Sequence, residues 1–268
     1  MHDGWQYLML MRHGHSFANA AIKKGSDSHF YSISGSDDRI ELDELGKLEA
    51  SKMSRVLSRL FRTDKPLTKI WTSSYVRVTQ TADIIVGTLK YPVERCVDRR
   101  LAKRSYGKFW NLSYRGVEEL YPEENKKFIE QGRLHYRPPE GENYFDLFAR
   151  ADDFYDKEIA ASQNNVLLVT HSVVLLALQR RLENLSDEDV LTRYEQESVR
   201  NGSTFFYRRQ ASTDPWQLFA TFVPDMAHLS LQEKSSLAAT CAAAEACCMQ
   251  VSPKLLSKPA ALAEKSEP

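Results

Sequence analysis

The sequence has no long apolar run and no excess of charge of either sign. No apolar run in the 268 residues approaches the ~18 residues that a membrane-spanning helix requires, so we predict no such helix. Lys and Arg total 36, as do Asp and Glu, which gives a formal net charge of +0. Because nucleic acids and anionic membranes bind proteins with a basic excess, we predict neither as a partner. Nothing in the sequence indicates an oligomeric state.

Cysteine is scarce, and its spacing does not suit a disulfide framework or a zinc site. Cys96 is isolated, and Cys241, Cys247 and Cys248 lie near the C-terminal end without the companion spacings that zinc ligands have. The first ten residues lack the basic segment and apolar core of a secretory signal. We therefore expect a reducing, cytoplasmic location and no bound metal.

Strand and helix signals alternate along most of the chain. Short apolar or β-prone runs predict strands at 7–11, 68–72, 92–97, 166–169, 203–207 and 217–222. Apolar residues at helical spacing predict helices at 45–60, 143–159 and 173–182, and one that is capped by Ser73-Ser74 and runs to 86. This alternation favours an α/β fold, with three α/β/α layers around a mostly parallel central sheet.

Two segments depart from the alternation. Residues 103–140, rich in aromatic and charged side chains, predict a small helical cap insertion over the ligand site. Residues 225–268 are rich in Ala, Ser and Lys, and predict a partly disordered tail with one helix at about 237–249. The predicted organisation is thus one domain over 1–224, followed by this tail.

Three of the predicted strands end in polar clusters. The clusters contain Arg12 and His13, then Ser73, Ser74 and Arg77, and finally His171 and Ser172. Ligand sites of open α/β sheets lie beyond the carboxyl ends of the strands, so two histidines and two arginines should meet at one edge. Guanidinium groups and the N-termini of helices both suit a phosphate dianion.

Histidine offers chemistry as well as binding. A neutral imidazole nitrogen can attack phosphorus, and water can hydrolyse the resulting phosphohistidine. The other ring nitrogen must then keep its proton, usually through a backbone carbonyl. A second, protonated histidine would offset the charge of the transferring phosphoryl group. Such a reaction requires no metal and no cofactor.

Five motifs occur in one order along the chain. They are RHGHSFAN at 12–19, LDELGKLEA at 42–50, SSYVRVTQTA at 73–82, GE at 141–142 and VTHS at 169–172. The set resembles the signature of the histidine phosphatase superfamily, phosphoglycerate-mutase-like branch, of the broad-specificity phosphatase type. The resemblance implies that His13 is phosphorylated and that Arg12, Arg77 and His171 complete the phosphate pocket. Further substrate-binding candidates are Ser16, Asn19 and Ser172.

One departure concerns the proton donor. The family commonly has Leu-Arg-Glu-x-x-x-Gly, with the Glu as acid, whereas residues 101–107 read LAKRSYG and put Lys103 in that place. General acid catalysis typically contributes about 10²–10⁴-fold, so its loss should slow the cleavage of alkyl phosphates most. Lys103 could instead attract an acidic substrate. Glu142 and Asp98 are the candidate substitute acids.

A second departure concerns the type of reaction. Residues 20–39 lack the Asn-x-x-Asn-Arg-Phe-x-Gly-Trp stretch of the mutases. We therefore predict hydrolysis of phosphomonoesters, in which the partner is a small phosphorylated substrate or a phosphoprotein. The main alternative is a pseudophosphatase that binds a phosphorylated ligand without turnover. A phosphoglycerate-type mutase is the weaker alternative.

Overall fold

The computed structural model describes residues 4–25, 28–196 and 199–224. Its six strands are β1 (Gln6–Arg12), β2 (Lys69–Thr72), β3 (Glu94–Val97), β4 (Val166–Thr170), β5 (Thr204–Arg209) and β6 (Gln217–Phe222). Its α-helices are α1 (Phe17–Lys24), α2 (Glu44–Leu60), α3 (Val76–Val86), α4 (Tyr114–Leu120), α5 (Pro122–His135), α6 (Tyr144–Phe154), α7 (Ser172–Glu183) and α8 (Asp187–Gln196). The predicted tail helix and Cys241, Cys247 and Cys248 lie outside the described residues. None of the described helices is both long enough and apolar enough to cross a bilayer.

All six strands form one sheet in the order β3-β2-β4-β1-β5-β6. The first four strands of that order are parallel, whereas β5 and β6 are antiparallel additions at one edge. The prediction of a mostly parallel sheet is therefore confirmed. Because β1, β2 and β4 are parallel neighbours, the residues that follow each of them emerge at the same edge.

Alternating residues of the strands build two cores, one on each face of the sheet. Leu8, Leu10 and Leu168 pack with α6 and α7. Met9 and Met11 face the opposite way and pack with α2 and α3. This period of two follows from the pleat of a strand, and it produces the three predicted layers.

The predicted cap insertion contains α4 and α5, which have a small apolar core of their own. Phe109, Leu112 and Tyr136 form this core. Helix α5 is interrupted at Gly132, whose φ of 75° only glycine adopts readily. That the insertion covers the ligand site stays a prediction.

Three local predictions need correction. Helix α3 begins at Val76 with Tyr75 at its cap position and no side-chain cap, so the serines at 73–74 do not cap it. The helix predicted over 143–159 is α-helical only to Phe154, and Tyr155–Ile159 form a π-helical turn. Helices α1 and α8 are additional to the helices predicted from apolar spacing.

Candidate active site

Three parallel strands deliver the predicted side chains to one edge. His13 directly follows β1, Ser73 follows β2, and His171 follows β4. The backbone N–H of His13 donates to the carbonyl of Thr170 at 2.9 Å, which ties the ends of β1 and β4 together. The sheet itself therefore sets the separation of the two histidines.

His13 and His171 share one buried site. Their ring centroids are 5.2 Å apart and the rings meet edge to face at 68°, and the side chains are 4% and 3% exposed. The predicted convergence of the two imidazoles is confirmed. His13 Nδ1 lies 2.7 Å from the carbonyl oxygen of Gly14, an acceptor only, so Nδ1 carries the proton. Nε2 is left as the nitrogen with a free lone pair.

His171 has one polar partner among the described residues. Its Nε2 lies 3.1 Å from Ser73 Oγ, whereas its buried Nδ1 has none within that part of the chain. The Tyr75 ring packs against it at 4.7 Å between centroids. Ser73 therefore holds a catalytic candidate instead of capping a helix.

Burial and neighbouring cations keep both histidines neutral in the free protein. Desolvation, followed by the charges of Arg12 and Arg77, holds the pKa of His13 well below 6.5. Desolvation, His13 and Arg77 do the same for the pKa of His171. A neutral His13 is what a nucleophile requires. The expected protonated state of His171 is disfavoured until an anion arrives.

Arg77 is a buried cation and Arg12 is a half-buried one, and each has polar partners. Burial lowers the pKa of Arg12 to about 10 and lowers that of Arg77, although both stay charged at neutral pH. Arg12 donates through Nη1 to the carbonyl of Val199, and its buried Nε has no partner among the described residues. Arg77 is 3% exposed and pairs with Asp37, with Nη2 at 3.0 Å from Oδ1. Desolvated cations of this kind favour an anionic ligand.

Several residues that position the His13 loop were missed by sequence reasoning. The Asn201 amide donates to the carbonyls of His13 and Gly14 at 3.1 and 3.3 Å. Thr81 Oγ1 accepts from the Gly14 N–H at 3.1 Å. Glu49 accepts from the backbone N–H of His15 at 2.7 Å. Asn201 has no motif around it, but Thr81 and Glu49 lie within two of the five motifs and could have been found there.

Residues 8–204 match the histidine phosphatase superfamily (branch 1). The chain belongs to this superfamily.

Several bifunctional enzymes and phosphatases are among the relatives of this histidine phosphatase superfamily member. A 6-phosphofructo-2-kinase/fructose-2,6-bisphosphatase of Arabidopsis thaliana is 29% identical over 171 residues, 64% of this chain and 20% of that protein. The fructose-2,6-bisphosphatase of Saccharomyces cerevisiae is 28% identical over 184 residues, 69% of this chain and 36% of that protein. The chain thus spans between a fifth and about a third of the length of these relatives.

Solved structures share the fold. A mycobacterial glucosyl-3-phosphoglycerate phosphatase in complex with VO3 superimposes with a TM-score of 0.58 at 22% identity, covering 80% of this chain and 97% of that one. A structure described as mycobacterial hydrolase 2 has a TM-score of 0.62 at 20% identity, covering 88% and 97%. At these identities the likeness establishes the fold of the superfamily.

The remaining predicted substrate-binding residues have structural partners. Ser16 is the N-cap of α1 and donates to Asn19 Oδ1 at 2.8 Å, while Asn201 donates to the same oxygen at 3.1 Å. Ser172 is the first residue of α7 and, with Arg12, lines a cavity of about 630 Å³ that His13 does not line. Contact of these three predicted residues with substrate stays a prediction.

Lys103, which the resemblance puts at the place of the proton donor, lies beside the site. Its charge lowers the pKa of both His13 and His171, after burial and other cations. Its ammonium is 2.7 Å from Asp37 Oδ2. The position is therefore occupied by an ion pair, and Asp37 is a site residue that sequence reasoning did not find.

The two candidate acids named from sequence are engaged elsewhere. Glu142 accepts from both Nε and Nη2 of Arg150, at 2.8 and 3.0 Å, and from the Ser105 N–H. Asp98 is held by Arg100 at 2.6 Å, and that hydrogen bond lowers its pKa. Among the described residues, neither carboxylate is hydrogen-bonded to His13, His171, Arg12, Arg77 or Lys103.

Proposed function

We propose that this chain hydrolyses phosphomonoesters through a phosphohistidine intermediate on His13. The observation that carries the proposal is the pair of buried imidazoles, 5.2 Å apart, set among the charges of Arg12 and Arg77. We propose a small phosphorylated molecule or a phosphoprotein as the substrate, turnover without metal, and action in the cytoplasm.

His13 supplies the nucleophile. With its proton held on Nδ1 by the Gly14 carbonyl, Nε2 attacks phosphorus, and the P–O bond to the leaving group breaks. Water then attacks the phosphohistidine, the P–N bond breaks, and inorganic phosphate leaves. The neutral imidazole is restored without any change in its tautomer.

The positive groups stabilise the transferring phosphoryl group. Arg12 and Arg77 are already desolvated, so they interact with its equatorial oxygens more strongly than exposed arginines would. A dianion beside His171 offsets the effect of the surrounding cations and favours its protonated form. His171 thus gains its charge when substrate binds.

Hydrolysis of para-nitrophenyl phosphate tests this function. We expect activity in the presence of EDTA, and a loss of about 10³-fold or more in His13→Ala. His29→Ala is the matched control, because His29 is 38% exposed and pairs with Glu119 on the surface. Equal activity of His13→Ala and the wild type would contradict the proposal.

A pseudophosphatase is the second candidate function, and one observation favours it. The superfamily's acid position holds Lys103, and the carboxylates of Glu142 and Asp98 are bound by arginines. Phosphate binding that depends on Arg77, together with no hydrolysis of any aryl phosphate, would support this candidate. A mutase is less favoured, because residues 20–39 lack the mutase stretch.

A further inference from the structure

Asp37 places a carboxylate beside Arg77 and Lys103, although it does not belong to any of the five motifs. It begins the 3₁₀ turn Asp37–Arg39, which lies between α1 and α2. Oδ1 is 3.0 Å from Arg77 Nη2, and Oδ2 is 2.7 Å from Lys103 Nζ. The backbone carbonyl of Asp37 also accepts from Arg77 Nη1. One residue therefore contacts both terminal nitrogens of the phosphate-site arginine.

The contact with Lys103 indicates where the Asp37 carboxylate lies relative to the two histidines. Lys103 takes the place of the superfamily's acid, and its charge acts on both His13 and His171. Asp37, in hydrogen-bond contact with Lys103, thus lies next to the place from which a proton would be delivered. Its side chain is 17% exposed, so it is partly shielded from solvent but still open to proton exchange.

Resting on the proposed function, we propose that Asp37 is the proton donor of this enzyme. As His13 Nε2 bonds to phosphorus, the P–O bond breaks and the leaving oxygen takes the proton of the Asp37 carboxyl group. In the second step the Asp37 carboxylate accepts a proton from the attacking water, whose oxygen bonds to phosphorus as the P–N bond breaks. The net reaction is phosphomonoester plus water to alcohol plus phosphate, and Asp37 ends with the proton that it carried in the substrate complex.

Substrate binding changes the contacts of Asp37. In the free protein its carboxylate contacts Arg77 and Lys103. A phosphate that takes over Arg77 frees Oδ1 from that arginine, and the proton that Asp37 then carries comes from solvent. Lys103 keeps one contact with Asp37 and so holds it near the leaving oxygen.

The same contacts allow an opposing interpretation, in which Asp37 merely competes with phosphate for Arg77. The two interpretations predict opposite effects of Asp37→Asn. Loss of a proton donor lowers kcat/KM, most for poor leaving groups, whereas loss of a competitor raises kcat/KM for every substrate. A comparison of leaving groups therefore separates them.

The experiment measures kcat/KM, which reports the steps up to phosphorylation of His13, for para-nitrophenyl phosphate and phenyl phosphate in the wild type, Asp37→Asn and Asp38→Asn. We expect Asp37→Asn to lower kcat/KM for phenyl phosphate by about 10²-fold or more, and that for para-nitrophenyl phosphate much less. Quenched reactions of this variant should accumulate phosphohistidine, because the water has lost its base. Asp38→Asn is the matched control, since Asp38 is 50% exposed beside Arg39.

The outcomes separate this inference from the proposed function. Equal losses for both substrates, no loss, or a higher kcat/KM in Asp37→Asn would overturn the inference while wild-type hydrolysis upheld the function. Absence of hydrolysis and of phosphohistidine in the wild type would overturn both. Retained phosphate binding by calorimetry shows that the variant is folded, and Asp37→Glu, which keeps a carboxyl group, should recover part of the phenyl phosphate activity.

Discussion

Glu49 is a buried carboxylate behind the phosphate site. It is 7% exposed, accepts from the His15 backbone N–H, and interacts with the charge of Arg12. Burial raises its pKa from 4.5 to about 7.

The raised pKa of Glu49 makes stability depend on pH. Between pH 4.5 and about 7 the folded chain holds a proton that the unfolded chain releases, so this contribution to stability falls as pH rises through that window. Glu49→Gln removes the dependence and keeps the oxygen that accepts from His15. We expect the variant to gain about 3 kcal/mol over the wild type between pH 4.5 and 8 in urea unfolding.

Glu44→Gln provides the control for that titration. Glu44 lies on the same helix and is 52% exposed, so its replacement should shift stability little and equally at all pH values. A pH-independent difference between Glu49→Gln and the wild type would show that Glu49 is ionised in the folded protein throughout.

At the scale of elements, the first turn of α2 packs directly on the His13 loop. A Cβ added to Gly46 would lie 1.9 Å from the backbone oxygen of His15, and one added to Gly14 would lie 2.4 Å from that of Gly46. Two backbones thus meet where only glycines fit. This contact, with the Asp43 cap that accepts from the Gly46 N–H, fixes the loop relative to the helix.

Gly46→Ala should therefore damage stability and activity together. Overpacking of this kind costs about 3 kcal/mol, and a displaced nucleophile loses rate by about 10²-fold per ångström. Lys47→Ala, one residue further along α2, loses only the surface pair with Glu44, worth about 0.2–0.5 kcal/mol. Unfolding curves and kcat for para-nitrophenyl phosphate check both variants. Wild-type stability and kcat in Gly46→Ala would contradict this prediction, because they would mean that α2 can shift away from the His13 loop without loss of stability.

Elements with a strong local pattern could be predicted from the sequence. The buried strands β1, β2 and β4 are apolar runs that stop at polar clusters, so both their existence and their shared edge followed from composition and parallel pairing. The resemblance added the assignment of Arg12 and Arg77 to one anion. The turn Asp37–Arg39 has no periodicity, and its approach to Arg77 depends on the path of a long connection.

At the scale of the whole molecule, the cations of the phosphate site and the burial of its two histidines make the stability of the fold depend on pH. The folded-state pKa values of His13 and His171 lie well below 6.5, so the unfolded chain binds more protons than the folded chain just below that pH. The two histidines therefore make stability fall as the pH drops below 6.5. An anion in the pocket offsets the contribution of His171, because it favours the protonated form of that residue.

Sulfate tests this coupling, since it keeps two negative charges from acidic to alkaline pH. We expect sulfate at a hundred times its Kd to add about 2.7 kcal/mol to the free energy of unfolding, and to bind more tightly at pH 6 than at pH 8 because binding takes up a proton. Arg77→Met should abolish the stabilisation, whereas Arg39→Met should keep it, because Arg39 is 80% exposed. Equal sulfate affinity at both pH values would mean that His171 stays neutral around the anion. The charge that offsets the transferring phosphoryl group would then have to come from the arginines and Lys103 alone.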